Sequence, residues 1–349
     1  MSTLKVSIIG ASGYSGGELL RILLQHPQVH VHQVTSNRYA GLSVTQAHPN
    51  LRSITSLKFT KIEHLESCDF LFTSLPNGES MHQMSAWMQL AEKIIDLGAD
   101  FRLNSQELWE KWYGTKHSAP HNMAQFTYGV PELFREQIQK SQYVSGPGCE
   151  AIVSILSLFP FVKQAIIQKD QIIIDAKMGS SQAGNRPSPA SHHPERAGVT
   201  RSYKPTGHRH TAEIEQALGS FCPGTRVDVS ATAIEMVRGI LVTIHTSLEN
   251  PIEDREIWNA LRKEYSQEPF IRIVKEKRGL YRFPEPKILQ GTNHCEIGFE
   301  KDGRNDRLVI IGAIDNLVKG TAGNATQCMN LMCGFPETQG LEFPGLHPV

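Results

Sequence analysis

The chain has 349 residues, with Lys plus Arg equal to Asp plus Glu at 35 each. So even a balance excludes a chain-wide basic footprint for nucleic acid, and no run reaches the roughly 18 apolar residues of a membrane span. The length suits two domains with full-sized cores, and the N-terminus enters an apolar run with no cleavage-site pattern, so a soluble, cytoplasmic protein is expected.

In chain order, LKVSIIG reads as a buried strand and GGELLRILLQH as a helix with apolar residues at helical spacing. Between them Gly10, Gly13, Gly16 and Gly17 make a GxxGxxG turn that also holds Ser12, Tyr14 and Ser15. Strand, glycine turn and helix in that order let backbone N–H groups meet a pyrophosphate at the helix N-terminus. VHVHQVTS is the second strand. An acid near its end would bind a ribose diol, but the chain reads Thr35-Ser36-Asn37-Arg38. Ser36 can donate to a 2′-phosphate and Arg38 can pair with it, so NADP(H) is expected rather than NAD(H). CDFLFTSLP is a third strand, and its terminal turn puts Ser74 and Pro76 at the same cofactor edge. ESMHQMSAWMQLAEK reads as a helix and KIIDLGAD as a strand. Arg102 follows that strand, at the edge where open α/β sheets bind ligands, and is a candidate to hold a phosphate. ELWEKWYG is a short helix, and QFTYGVPELFREQIQ a strand or loop followed by a helix.

SQYVS is a short strand, GPGCEA a turn, and AIVSILSLFPF a buried helix expected to stop near Pro160. Cys149 then sits at a helix N-terminus, where free N–H groups and the dipole favour the thiolate, the form that attacks carbonyls. QIIIDAKMGSS, RVDVSATAIEMV, RGILVTIHTSLE and the 288–314 region are strand-rich, and EDREIWNALRKEY is a helix. TAGNATQCMNLMCG is a last helix, stopped by Gly334 and Pro336. The fold class expected is α/β: a Rossmann-type NADP-binding domain over 1–148, then an α+β catalytic and oligomerisation domain with a mixed sheet over 149–320. A C-terminal helix over 321–349 is expected to pack back on the first domain.

Six cysteines show no CxxC spacing and call for no disulfides. His208 and His210 lie two apart, but no nearby cysteine or third histidine completes a ligand set, so no metal is expected. The 179–207 stretch is long, polar and rich in Gly, Pro and His, and loops of that length are usually functional. Over 186–210 it carries Arg186, Arg196, Arg201, Lys204 and Arg209 against Glu195 alone. That asymmetry suits an acidic partner or a substrate phosphate.

Five segments in order resemble the N-acetyl-gamma-glutamyl-phosphate reductase family: the glycine turn, DLGADFRL, the cysteine turn, YKPTGHRHTAEIEQ and DNLVKGTAGNATQ. The GPGC form and SPASHHPERAGVTRSYKPTGHRHT look like its lysine-pathway branch. There the substrate, an aminoadipyl 6-phosphate, hangs from the C-terminal glutamate of LysW, a small acidic carrier protein. Glu150 stands where that branch often has Asn. The resemblance implies NADPH-dependent reduction of an acyl phosphate to a semialdehyde through a Cys149 thioester. His208 and His210 are the acid/base candidates; the resemblance favours His208, and the residues themselves leave the choice open. It further implies Arg102, Ser180, Tyr203, Lys204 and Glu213 at the substrate, and Gly184 and Asn316 at the cofactor, with Gly320 allowing close approach. A homo-oligomer, dimer or tetramer, is implied through a sheet face of the second half. The alternative is the arginine-pathway reaction on N-acetyl-glutamyl phosphate, or service of both pathways, because one methylene discriminates by only about 1–3 kcal/mol.

Overall fold

The computed structural model describes residues 3–349. The chain forms two compact units: one runs to Pro147 and takes in Thr321–Phe343, and the other comprises Gly148–Gly320 with Pro344–Val349.

The first unit holds a seven-stranded parallel sheet. Its strands are β1 (Leu4–Ile9), β2 (Val29–Thr35), β3 (Phe59–Thr60), β4 (Cys68–Thr73), β5 (Ala91–Asp96), β6 (Phe126–Tyr128) and β7 (Tyr143–Ser145). Their order is β3-β2-β1-β4-β5-β7-β6. β1 lies inside this sheet, which explains the unbroken burial of Val6 to Ile9. Helices α1 (Tyr14–Leu23), α2 (Met84–Trp87), α3 (Gln106–Tyr113), α4 (Pro120–Met123) and α5 (Pro131–Lys140) accompany the strands.

The helix expected across ESMHQMSAWMQLAEK is only a 3-10 turn at Ser80–His82 followed by the single turn of α2. Two backbone N–H groups there are captured by a side chain instead of a helical carbonyl. Gly78 and Met81 donate to the Asp100 carboxylate at 2.6 and 3.0 Å, and Gln83 leaves helical geometry at φ −125°.

The second unit holds a mixed sheet of β8 (Ile172–Met178), β9 (Thr200–Lys204), β10 (Val227–Ile234), β11 (Ile240–Ser247), β12 (Ile271–Ile273), β13 (Cys295–Lys301) and β14 (Arg307–Ile314), in the order β12-β13-β14-β11-β8-β10-β9. β8 runs parallel to β10 and β12 to β13; the other pairs are antiparallel. The expected α/β fold class, a Rossmann-type sheet plus a mixed one, therefore stands. β11 alternates buried and part-exposed residues, as a sheet covered on one face must. The cover is α6 (Cys149–Lys163), buried from Glu150 to Val162, with α7 (His193–Arg196), α8 (His210–Gly219) and α9 (Asp254–Tyr265) completing the helices of this unit. Gly312 in β14 lets α6 come close, since a Cβ there would collide with the Ser157 hydroxyl. On the other face Ile173 is 52% exposed, and Leu241, His245, Val309 and Ile311 are part-exposed.

α6 does not stop near Pro160; it continues to Lys163 with the proline inside it. One missing N–H orphans one carbonyl, and α9 satisfies it. The 179–207 stretch is broken by two 3-10 turns, α7 and β9, an edge strand exposed along its whole length. In the first unit, α10 (Gly323–Cys333) packs on α1 and α5. This helix is shorter than the 321–349 segment expected: a π-helical turn over Val318–Ala322 precedes it, and Gly334, at φ +70°, ends it in a left-handed cap. Among the described residues, no helix is long and apolar enough to cross a membrane.

Candidate active site

In the first unit the glycine turn is built for close approach. Gly10 has φ +76°, and a Cβ on it would run into the Ser74 carbonyl; a Cβ on Gly16 would lie 2.6 Å from the Gly10 oxygen. α1 starts with Gly13 as N-cap and no side-chain cap, so no side chain of that residue takes its first N–H groups. Ser12 and Ser36 meet at 2.8 Å, joining the turn to the end of β2. Ser36 also accepts from the Tyr39 N–H, and the exposed Arg38 guanidinium stands 5.2 Å from the Tyr39 ring. Tyr14 is 46% exposed at the helix start, beside Ser15. Ser74 receives no closer role than walling the turn, and Pro76 caps the 3-10 region through its carbonyl, which accepts from Glu79. A dinucleotide fits this cradle: free N–H groups for the pyrophosphate, and a hydroxyl and a cation where an acid would otherwise bind a ribose diol.

At the end of β5, Asp96 and Asp100 are both fully buried and share the Ser80 hydroxyl, at 3.0 and 2.9 Å. Burial, then the neighbouring Asp100, push the Asp96 carboxyl up to about 6. Arg102, expected to hold a phosphate, is also buried. Its Nε donates to the Gly146 carbonyl at 2.8 Å and its Nη2 to the Leu97 carbonyl at 2.9 Å. The first donor tethers the turn ahead of Cys149 and the second the backbone at the end of β5.

In the second unit Cys149 is the first residue of α6, with Gly148 as N-cap. His208 and His210 are not on a solvated turn: they are 6% and 4% exposed, and His210 opens α8. The group that joins them to the sulfur is Glu150, which is fully buried. The Cys149 thiol donates to Glu150 Oε2 at 3.2 Å. His210 Nδ1 lies 2.6 Å from that same oxygen, at ion-pair distance though not aligned for a linear hydrogen bond. His208 Nε2 lies 3.6 Å from Oε1, and the Gln182 amide donates to Oε1. Burial alone would raise Glu150, but His210, His208 and the Cys149 hydrogen bond hold it well below the usual carboxylate range. The two imidazoles pack edge to face at 4.8 Å, and the backbone N–H of His210 donates to His208 Nδ1 at 3.4 Å. Burial, then the neighbouring His210, push His208 down to about 4, so it is neutral at pH 7.

Glu213 closes the other side of His210. It lies 3.7 Å from Nε2, and its second oxygen accepts from the Gly148 N–H at 2.9 Å. Glycine is required at 148, because a Cβ there would occupy the His210 ring. Gly320 serves a similar end: a Cβ on it would lie 2.9 Å from the Cys149 Cβ. The facing atoms of Glu150, His208 and His210 lie within 4.8 Å of one another, a spacing a cation could bridge. One oxygen of the Glu150 carboxylate is taken by the Cys149 thiol and the other by the Gln182 amide.

Of the other expected residues, Tyr203 faces this cluster from β9: burial, then Glu150 and Cys149, push its phenol up, and its hydroxyl meets Met178 Sδ at 3.5 Å. Lys204, next along that strand, is exposed. Ser180 opens the 3-10 turn after β8, its N–H bonded to the Met236 carbonyl. Asn316 is buried and uses its carboxamide to bind the Gly239 N–H at 2.7 Å and the Ser181 hydroxyl at 3.0 Å. It thus ties the 180–184 turn to the start of β11. Gly184, at φ +76°, has open space around its α-carbon. Sequence reading missed Glu150 and Gln182 as members of the site. A carboxylate one residue after a cysteine looks like an ordinary acid in a first helical turn until its burial is known.

Comparison with known proteins agrees with this layout. Residues 5–141 match the family model described as semialdehyde dehydrogenase, NAD binding domain, and residues 149–316 the one described as semialdehyde dehydrogenase, dimerisation domain. The chain belongs to the semialdehyde dehydrogenase family, and it is an oxidoreductase with a NAD(P)-binding Rossmann domain. Relatives matching its full length include proteins named as phosphate reductases. A Deinococcus radiodurans protein named [LysW]-L-2-aminoadipate 6-phosphate reductase is 47% identical over 100% of both chains. A Thermomicrobium roseum protein bearing that name provisionally is 52% identical over 99% of both. A Nitrosopumilus maritimus relative, 45% identical over 99% of this chain and 100% of its own, is provisionally named for [LysW]-L-2-aminoadipate and [LysW]-L-glutamate phosphates together. In fold, the chain is similar to aspartate semialdehyde dehydrogenase II from Vibrio cholerae, with TM-score 0.73, 15% identity and coverage of 96% of this chain and 99% of that one. It is likewise similar to the Candida albicans aspartate semialdehyde dehydrogenase solved with NADP, at TM-score 0.70 and 13% identity over 95% and 99%.

Proposed function

We propose that the protein reduces a LysW-bound aminoadipyl 6-phosphate to the semialdehyde with NADPH, releasing phosphate, in cytoplasmic lysine biosynthesis. The observation that carries this is Cys149 at the start of α6, with its sulfur inside a buried cluster of acids and imidazoles. The sulfur attacks the acyl carbon, the acyl–oxygen bond breaks, and phosphate leaves with the electron pair. A bound reduced nicotinamide supplies the hydride that converts the thioester to a hemithioacetal. Return of the C–S electron pair to sulfur then frees the aldehyde. The α6 N-terminus, at which Cys149 is the first residue, favours negative charge beside the sulfur. His210, closest to Glu150, is the imidazole that takes part in proton movement, in place of the His208 favoured by resemblance; His208 is held neutral and orients its neighbours. Tyr203, Lys204 and Ser180 stand on the exposed side of the cluster, where a substrate would enter. Ser36 and Arg38 select the 2′-phosphate of NADP. A homo-oligomer forms through the uncovered face of the mixed sheet, around Ile173 and Leu241.

The acidic carrier docks on the basic stretch 186–209, where Arg186 in the loop before α7, Lys204 at the end of β9 and Arg209 at the N-cap of α8 are exposed. A second reading, action on glutamyl phosphate as well, is favoured by the double name of the Nitrosopumilus relative. The deciding experiment is phosphate-dependent NADP⁺ reduction with two aldehydes, aminoadipate semialdehyde on LysW and free N-acetyl-glutamate semialdehyde. Preference for the carrier-linked aldehyde is expected. Preference for the free one would reassign the enzyme to arginine synthesis and leave the basic stretch as a small-ligand loop.

A further inference from the structure

We infer that Glu150 is a catalytic residue: the Cys149 thiol gives up its proton to Glu150, which passes it to His210, so the sulfur and the imidazole never exchange it directly. This rests on the thioester reading of Cys149.

The geometry is a line of groups. Sulfur to Oε2 is 3.2 Å, and Oε2 to His210 Nδ1 is 2.6 Å. Beyond the ring, Nε2 faces Glu213 at 3.7 Å. The imidazole therefore stands between two carboxylates, an arrangement that accommodates a proton on each nitrogen. Gln182 holds the free Glu150 oxygen, and the Ser154 hydroxyl donates to the Glu150 carbonyl at 2.7 Å. The carboxylate is thus held on both its side chain and its backbone, with no water-exposed surface. A fully buried acid bonded to a nucleophile and at ion-pair distance from a base costs desolvation that a purely packing residue would not impose.

The proton balance closes. The S–H bond breaks as the S–C bond to the acyl carbon forms. The proton moves to Oε2 and on to Nδ1, and the C–O bond to phosphate breaks with its pair on the leaving oxygen. When the C–S bond later breaks, the pair returns to sulfur and the proton returns by the same route. A carboxylate beside the sulfur also has a resting-state effect: it accepts the S–H and opposes charge on the sulfur, so the free enzyme keeps its cysteine as a thiol.

The test reads two quantities on the full-length enzyme, turnover of the carrier-linked substrate and alkylation of Cys149 by iodoacetamide at pH 7. In Glu150→Gln, which keeps the shape and cannot carry the proton, turnover should fall about 10²–10³-fold while alkylation becomes several-fold faster. Slower turnover with unchanged or slower alkylation would reduce Glu150 to a packing role and overturn the proposal. Glu150→Asp, which keeps the charge, should recover at least tenfold of the lost turnover and alkylate like the wild type; failure to recover would also count against it. A third measurement needs no variant. The single-turnover burst of phosphate from the wild-type enzyme should slow about twofold or more in deuterium oxide; an isotope effect near unity overturns the relay. Cys149→Ser separates the two levels, because turnover surviving that change defeats the thioester reading itself, whatever Glu150 does.

Discussion

Tyr265 donates its phenolic hydrogen to the carbonyl oxygen of Leu156 at 2.6 Å, and Leu156 is four residues before Pro160. The acceptor orphaned by the proline's missing N–H is thus satisfied from α9. Tyr265→Phe should lower the unfolding free energy by about 1–3 kcal/mol, the cost of a buried unpaired acceptor. Urea titration measures it. Adding Pro160→Ala should recover much of the loss, because alanine restores the N–H; equal losses in the single and double variants would show that the bond is not what Tyr265 contributes.

Asp96 gives a pH signature. Its folded value, about 6, lies above the ordinary aspartate value of 3.8, so the folded state binds the extra proton between those limits. Its contribution to stability is fully present below about pH 4 and is lost as pH rises through 6, on the order of 3 kcal/mol over the whole window. Asp96→Asn should remove this term. The variant's thermal midpoint, compared with wild type, should therefore improve relatively on moving from pH 5 to pH 7.5; parallel profiles would contradict the assignment.

Arg38→Ala should raise the Michaelis constant for NADPH about 10–100-fold, corresponding to about 1.4–2.8 kcal/mol, and leave that for NADH almost unchanged. Initial-rate measurements with both cofactors decide this. Equal effects on the two would place Arg38 away from the 2′-phosphate.

Reversing charge at Arg186 and Lys204 together should weaken only the carrier-linked substrate. Its Michaelis constant should rise about tenfold at low salt and converge on the wild-type value as salt screens the field. Free aldehyde kinetics with the same variant provide the control, and a matching rise there would mean the two cations bind the small ligand.

Much of this was legible in the sequence because local pattern carries it. The apolar run of β1, the glycines after it and the change to longer strands after the Cys149 helix each follow from chain-local rules. The placement of Cys149 at a helix start follows from a Gly-Pro-Gly turn before an apolar run. What was illegible depends on partners distant in the chain. Pro160 looked like a helix stop because the tyrosine that rescues it is 105 residues away by number, at 265. The bond from Arg102 to the Gly146 carbonyl was illegible because its acceptor lies 44 residues further along the chain. The segment around Ser80 had helical periodicity, but Asp100 captured its N–H groups. Glu150 was seen as a departure from a pattern, and only burial shows that it stands at the sulfur.

The hydrogen bond from Gly148 to Glu213 joins the residue ahead of the nucleophile to the helix that His210 opens. The same carboxylate faces His210. Nucleophile and proton acceptor are therefore set against a common reference point, and a small drift of α8 carries both together and preserves their spacing. Substitutions along the packed seam between α6 and α8 should then leave reactivity intact so long as that one acid keeps its grip, whereas a change at position 213 would let the two halves of the chemistry drift apart without unfolding anything.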